Sequence, residues 1–179
     1  MSPLQALAPP EAANADASAF AFAMPQPKAA AETLSRQGLR IGELRMTIRY
    51  EDGSELTEVP PLHRLPNAPA WFAGIANLHG ALLPVFDPGV FAGVPHDEQA
   101  RPMLLVIAHG ADAAGILIDG LPRRLKVPPD SPLSPDTAPA RIAPHVRGAA
   151  LVGDHLWFEL DCAALLDALE QSLSQINGA

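Results

Sequence analysis

The chain has 179 residues, a formal net charge of −8 at pH 7 and 48% hydrophobic residues, enough for one domain with a sizeable core and flanking segments. The acidic balance argues against a nucleic-acid-binding protein, because such proteins usually present a basic face. Cys162 is the only cysteine, which excludes an internal disulfide, and no apolar run approaches the roughly 20 residues that cross a bilayer.

Residues 1–35 are dominated by alanine and proline, and we predict a largely disordered tail. The prolines interrupt any helix that the alanines favour. A short helix over residues 17–24 is an alternative, in which Phe20, Phe22 and Met24 would grip a partner; a tail without a role is the simpler interpretation. The segment lacks the basic start and continuous apolar stretch of a signal peptide, so we expect a soluble cytoplasmic protein without direct membrane insertion.

The first predicted strands follow the tail, and we expect ordered structure to begin near Leu39. Apolar side chains alternate with polar ones over residues 44–50, a period of two that places the apolar set on one sheet face and the arginines in water. Asp52 and Gly53 predict a turn. Residues 56–59 predict a return strand, which the following prolines end.

The most informative segment is 65–87, which reads LPNAPAWFAGIANLHGALLPVFD. Two β-rich runs separated by a short turn that contains glycine predict a hairpin. Gly74 and Gly80 permit tight backbone geometry, and Asn77 can bridge the turn through its side-chain amide. Pro84 lacks an N–H donor, so we expect it at an edge or a bulge.

The rest of the chain predicts further short strands and one closing helix. The strands are predicted over residues 103–107, 114–119, 124–127, 146–152 and 155–160. Residues 88–89 and 93–95 are predicted as loops, and the proline-rich stretch 128–144 as a long surface loop. Asp161 is a good N-cap for the helix, and leucines at helical spacing give it an apolar stripe.

No constellation of residues predicts catalysis, a cofactor or a metal site. The six histidines are scattered, and neither a phosphate-binding glycine loop nor a nucleophile elbow occurs. Asp87, Asp119 and Asp161 follow predicted strands, where aspartate more often caps a turn or helix than acts as an acid. Cys162 opens the helix, where a lowered thiol pKa is conceivable, but a small buried core residue is the favoured interpretation.

The predicted hairpin carries a pattern that resembles the signature of CheW-like domains, the coupling proteins of bacterial chemosensory arrays. The matching residues are Gly74, Ile75, Asn77, Leu78, Gly80, Leu83, Pro84, Val85 and Asp87. The resemblance covers residues 39–170 and implies a CheW-like domain over residues 36–175. It implies an all-β fold with two small SH3-like five-stranded β-barrels packed side by side and a C-terminal α-helix. The Trp71-Phe72 pair is similar to members that serve type IV pilus, or twitching, arrays.

The resemblance also implies a function, that of a non-enzymatic adaptor at membrane-associated receptor arrays. The hairpin would lie by a groove between the barrels that receives the cytoplasmic tip of a methyl-accepting chemotaxis receptor. Other surfaces would bind the regulatory domain of a CheA-type histidine kinase, and further CheW-like copies are additional candidate partners. We assign partner binding to Asn77, His79 and Val85. The remaining signature residues receive structural roles: Gly74, Ile75, Leu78, Gly80, Pro84 and Asp87.

Two positions depart from the family pattern. Many relatives have arginine where this chain has His79, a shorter side chain that is only partly charged near neutrality. Pro88 replaces the usual leucine after Asp87 and is expected to disturb a helical turn there. Two alternatives stay open: a divergent module of a pilus or other signalling system, and a small β-barrel ligand-binding protein that would use Trp71, Trp157 and the histidines.

Overall fold

The structure is a computed structural model that describes residues 33–129 and 134–177, all within one compact unit, Glu32–Ala179. The described strands are β1 (Leu34–Ile41), β2 (Leu44–Ile48), β3 (Gly53–Glu58), β4 (Leu62–His63), β5 (Phe72–Leu78), β6 (Ala81–Phe86), β7 (Pro102–Ile107), β8 (Ala114–Asp119), β9 (Arg123–Val127), β10 (Val146–Val152) and β11 (His155–Leu160). The helices are α1 (Pro88–Ala92) and α2 (Cys162–Asn177), with short 3₁₀ turns at Gly110–Asp112, Pro135–Thr137 and Ala143–His145.

The strands form two sheets. The first has the order β10-β11-β2-β1-β9 and the second the order β3-β7-β8-β6-β5-β4. In the first sheet the terminal strands β9 and β10 lie in contact, so this sheet curls back on itself. Most pairs are antiparallel, but β11 runs parallel to β2 and β6 runs parallel to β8. The second sheet contains a sixth strand, the two-residue β4, where five were predicted.

The larger core cluster joins the two sheets and α2. Leu39 and Met46 from the first sheet, Phe86 and Leu105 from the second, and Leu165 from α2 all belong to it. A smaller cluster lies on the opposite face of the second sheet and contains Ala73, Ala76, Leu83, Val85, Leu104 and Val106. Strand β7 therefore contributes to both clusters, which explains why its sequence is a continuous apolar run instead of an alternating one.

Ordered structure begins earlier than the sequence predicts. Strand β1 starts at Leu34, not near Leu39, so its first residues fall within the segment predicted as a tail. The strand is held by a distant partner, because Leu34 pairs with Val127 and Arg36 with Leu125 on β9. Its polar beginning gives no local strand signal. Residues 1–32, including the predicted helix over residues 17–24, lie outside the described part.

The predicted return strand exists but returns to a different sheet. Strand β2 pairs with β1 and β11, whereas β3 pairs with β7 in the second sheet. The Asp52 turn forms, with the Asp52 amide donating to the Arg49 carbonyl at 3.2 Å. The Asp52 carboxylate accepts from the backbone N–H and the guanidinium of Arg49. A turn signal identifies where the chain bends but not which strand it pairs with next.

Two segments predicted as loops are more structured than expected. Pro88 begins α1 at the first helical position, where its missing N–H and fixed φ are compatible with the helix. The Asp87 carboxylate caps this helix by accepting from the Val90 amide at 2.9 Å. The proline therefore starts a helical turn instead of disturbing one. In the proline-rich stretch, Ala138 and Ile142 are buried in the larger cluster, so the described part of that stretch is not only a surface loop.

Helix α2 begins as predicted. The Asp161 carboxylate accepts from the Ala164 amide at 3.1 Å, and Leu165 and Leu169 are fully buried. Cys162 is buried beside them, and this desolvation raises its thiol pKa to about 12. The prediction of a small buried core residue is confirmed, because Cys162 is 6% exposed and belongs to the larger core cluster.

Candidate partner-binding surface

The β5–β6 hairpin ends in a two-residue turn that presents His79. Leu78 pairs with Ala81, which leaves His79 and Gly80 as the central residues, with φ of +52° and +87°. Two positive φ values are the pattern of a type I′ turn, whose twist matches the twist of the flanking strands. The Asn77 side-chain oxygen accepts from the Gly80 amide at 3.0 Å. The turn therefore fixes the direction in which the imidazole leaves the hairpin.

The imidazole lies at the surface and pairs with a carboxylate from the far end of the same sheet. His79 Nε2 is 2.8 Å from Glu55 Oε1 on β3, and the His79 side chain is 75% exposed. Strands β3 and β5 are distant in the sheet order, so this contact shows that the second sheet also curls back on itself. An exposed contact of this kind contributes little to stability, so its atoms are available to a partner at small cost.

An exposed apolar side chain lies beside the polar groups. Leu82 is 73% exposed and sits opposite Asn77 in the β5–β6 register. We name the set Glu55, Asn77, His79, Gly80 and Leu82 the turn surface. A single exposed leucine is common on protein surfaces, so the turn surface is a candidate for docking because it presents an imidazole, a carboxylate, an amide and an apolar side chain together.

Val85 does not belong to this surface. It is 0% exposed and packs in the smaller core cluster, and a side chain without accessible atoms cannot touch a docked protein. The structure therefore corrects its assignment from partner binding to the core. The sequence carried a signal for this, because Val85 and the buried Leu83 are two positions apart and share one strand face.

The structural signature residues occupy positions that their chemistry explains. Gly74 has φ of +138°, and a Cβ there would lie 2.7 Å from the His63 carbonyl oxygen. The residue also marks a register shift in the β5–β6 pair, so only glycine fits without strain. Pro84 does not lie on an edge strand as expected, because β6 is between β8 and β5; it pairs with Ile75 next to the register shift and just before the two residues of β6 that pair with β8. Leu78 packs against the smaller cluster.

Asp87 takes part in a polar network that sequence reasoning missed. Its Oδ1 atom lies 2.9 Å from Nε2 of His96, and Nδ1 of the same ring lies 2.6 Å from Asp119 Oδ1. The backbone amides of Gly42 and Asp97 both donate to Asp119 Oδ2. Asp87 and Asp119 are far apart in the chain, and His96 lies in a loop. No periodicity or motif in the sequence therefore predicts this cluster.

A second candidate docking surface lies on the first sheet. A hollow of about 400 Å³ is lined by residues of β1, β2, β9 and β11, by Asp119 at the end of β8 and by Gly120 after it. Its members, which we name the basic mouth, are Arg40, Arg45, Leu121, Arg123 and His155. Leu121 is 74% exposed, and the Arg123 guanidinium lies 5.0 Å from the Trp157 ring centroid. The Asp119 carboxylate also lines the hollow and Arg40 pairs with Asp97, but the three arginines outnumber the acidic group in the lining and suit the hollow to acidic partners.

Within the described residues, no group of three or more His, Cys, Asp and Glu side chains is arranged to hold a metal ion. No helix in the described part is long and apolar enough to span a membrane. The described residues present two candidate docking surfaces, the turn surface and the basic mouth, each with hydrogen-bonding groups and one exposed leucine.

The comparisons with known proteins agree with this architecture. The family profile described as a CheW-like domain matches residues 38–170. The chemotaxis protein CheW of Klebsiella aerogenes is 26% identical over 152 residues, which cover 82% of this chain and 90% of that protein. Protein PilI of Pseudomonas aeruginosa is 31% identical over 98 residues, 53% of this chain. The chain spans about half the length, 54%, of PilI and of a probable chemotaxis protein CheW from Rhizobium etli.

One solved structure shares the fold. The scaffolding protein TtCheW from Thermoanaerobacter tengcongensis matches with a TM-score of 0.59 at 18% identity, and the match covers 72% of this chain and 84% of that one. The prediction of an all-β fold with two SH3-like barrels and a C-terminal helix is confirmed. The two sheets described above are those barrels.

Proposed function

The chain belongs to the CheW-like domain family, and from this premise we propose that it is a non-enzymatic adaptor that couples chemoreceptors to a CheA-type histidine kinase. The receptor's cytoplasmic tip would contact Asn77 and His79, and the kinase regulatory domain would use another surface. Other CheW-like copies are further candidate partners. We propose that the adaptor works in the cytoplasm at membrane-associated receptor arrays.

The observation that supports this proposal most directly is the presence of two separate candidate docking surfaces, one on each barrel. An adaptor that holds two proteins together raises their local concentration and fixes their geometry, and neither effect needs chemistry in the adaptor. The turn surface and the basic mouth differ in charge: the former carries a histidine–glutamate pair, the latter three arginines. Different partners can therefore be distinguished by electrostatics as well as by shape.

A pull-down with the two partners separately tests the assignment. The purified chain should retain both a receptor cytoplasmic fragment and the kinase regulatory domain. His79→Ala should weaken receptor binding, leave kinase binding unchanged and leave the melting temperature near that of the parent. Failure of a well-folded sample to retain either partner would contradict the proposal, and a large loss of melting temperature would instead assign His79 to the fold.

A second candidate is the same adaptor role in a type IV pilus array. The similarity to PilI of Pseudomonas aeruginosa favours it, together with the Trp71-Phe72 pair of the hairpin. Competition between receptor fragments from a twitching array and from a flagellar array would separate the two roles. Preferential retention of the twitching fragment would support the pilus assignment, and preferential retention of the flagellar one would oppose it.

A further inference from the structure

His96 occupies an unusual position between the carboxyl ends of two neighbouring strands. Strands β6 and β8 run parallel, with Phe86 opposite Ile116, so Asp87 and Asp119 emerge at the same edge of the second barrel. Both carboxylates are buried, and two like charges brought together out of water repel each other. The half-buried His96 ring lies between them, 2.9 Å from Asp87 Oδ1 and 2.6 Å from Asp119 Oδ1.

The protonation state of the ring decides whether both contacts are attractive. Each ring nitrogen faces a carboxylate oxygen, which only accepts hydrogen bonds. The imidazolium donates from both nitrogens, whereas the neutral ring has one N–H and turns a lone pair toward the other carboxylate. Burial by itself lowers the pKa of His96, but the hydrogen bonds to Asp119 and Asp87 outweigh it and raise the pKa above its ordinary value.

The Asp119 carboxylate connects the loop over residues 93–101 to both barrels. Asp119 Oδ2 accepts from the Asp97 amide at 2.9 Å and from the Gly42 amide, in the turn between β1 and β2, at 2.5 Å. The Asp97 side chain in turn pairs with Arg40 on β1 at 2.9 Å. Loop 93–101 is therefore fastened to the second barrel through His96 and Asp119, and to the first through Arg40.

We propose that His96, clamped between Asp87 and Asp119, is a proton-operated latch that fastens loop 93–101 across the two barrels. The charged groups around the ring are Asp87 from the β6–α1 junction, Asp119 from β8, Asp97 and Glu98 from the loop, and Arg40 from β1. Loss of the ring proton leaves the acidic groups with Arg40 as their remaining positive neighbour. The latch then opens because the two buried carboxylates repel each other.

Opening the latch also changes the basic mouth. Arg40 and Asp119 line that hollow as well as the latch, and Gly120 and Leu121 follow Asp119 directly. With the latch closed, the pairing of Arg40 with Asp97 and the contacts of Asp119 fix the rim of the basic mouth; with the latch open, that rim is no longer fixed. This consequence rests on the proposed function, because it treats the mouth as a docking surface, whereas the latch itself does not.

The test follows the free protein, without any partner, by NMR from pH 5.5 to 8.5. We expect the His96 ring to titrate above pH 6.5. Over the same interval the amide protection factors of Gly42 and Asp97 should fall by about tenfold after correction for intrinsic exchange, since each amide donates to Asp119. A titration midpoint of His96 at or below pH 6.5 would overturn the latch. Protection factors of Gly42 and Asp97 that stay constant while His96 titrates would also overturn it.

Two variants separate the latch from general pH effects. His96→Gln should make the protection of Gly42 independent of pH, and His109→Gln, which removes an exposed ring from a turn where it caps nothing, should leave the parent's profile intact. Unchanged pH dependence in His96→Gln would overturn the proposal. If that variant does not fold, the titration of the parent protein decides by itself. Pull-down failure with an intact latch would contradict only the proposed function.

Discussion

Two histidine–carboxylate contacts in this molecule use the same chemistry in opposite surroundings. His79 meets Glu55 at 2.8 Å on an exposed turn, and His96 meets Asp87 and Asp119 at similar distances among buried groups. For a pair exposed to water, the cost of removing the groups from solvent and the Coulomb attraction between them are both small. For a pair in the interior, both energies are large. The exposed pair is therefore free to serve recognition, and the buried cluster serves the fold.

Removing the acidic partner from each pair should give the largest contrast. Asp119→Ala leaves His96 facing one carboxylate and strips the Gly42 and Asp97 amides of their acceptor. We expect a loss of about 3 kcal/mol in the free energy of unfolding. Glu55→Ala removes only the exposed pair and should cost less than about 0.5 kcal/mol.

Urea unfolding of both variants measures this difference. Equal losses would contradict the contrast between buried and exposed contacts.

Within the signature hairpin, Val85→Ala should come next in size. The variant deletes two methyl groups from the smaller core cluster, and we expect a loss of about 2 kcal/mol. His79→Ala, six residues away, is the matched surface control and should change the free energy of unfolding by less than about 0.5 kcal/mol. A Val85 variant as stable as the parent would contradict the assignment of this side chain to the smaller core cluster.

The pH dependence of the free energy of unfolding should follow the pKa shifts of His96 and Asp119 in the buried cluster. The raised pKa of His96 gives stability that is complete below the unfolded value of about 6.5 and declines as pH rises through the folded pKa. Burial alone raises the pKa of Asp119, but the Asp97 and Gly42 amides and His96 together lower it. The contribution of Asp119 to the free energy of unfolding is complete above about pH 3.9 and is lost as pH falls through its folded pKa.

The cluster therefore stabilises the fold most between about pH 3.9 and 6.5. Urea midpoints at pH 6 and pH 8.5 should differ in the parent and in His79→Gln, and the difference should shrink in His96→Gln. A difference that disappears in the His79 variant instead would reverse the roles of the two histidines.

The smallest expected effect concerns the backbone under His79. Asparagine is favoured over histidine at the first central position of a type I′ turn, so His79→Asn should raise the free energy of unfolding by up to about 0.5 kcal/mol. The same variant removes the imidazole and should still weaken receptor binding. Thermal unfolding beside a receptor pull-down checks both parts, and a stabilised variant with full receptor binding would show that the ring is dispensable.

The surroundings of the two histidines also show which parts of the structure the sequence predicts and which it does not. The hairpin was predictable because its glycines, Asn77 and flanking strands are local signals, and a turn is a local structure. The His96 cluster was not, because its three members meet only after β6 and β8 pair and loop 93–101 folds over them. The pairing of Leu34 with Val127 and the crossing of β3 to the second sheet escaped for the same reason: distant partners leave no periodicity in the strand itself.

Some roles follow from the residue type alone, whereas others depend on where the residue lies in its helix or strand. Asp161 could be placed correctly because a helix start favours a capping side chain, and Cys162 because free cysteine is among the most buried residue types. Pro88 was misjudged because a proline that breaks a helix interior is well accommodated at a helix start. The predicted binding role of Val85 is wrong because a position in the signature need not be exposed, and Val85 shares the buried strand face of Leu83.

Simultaneous binding tests the adaptor role most directly. A receptor cytoplasmic fragment, the kinase regulatory domain and the full chain are mixed and separated by size-exclusion chromatography with light scattering. We expect a complex that contains all three proteins, and His79→Ala should release the receptor fragment while the kinase domain stays bound. Mutually exclusive binding of the two partners to the parent chain would contradict the proposed adaptor role.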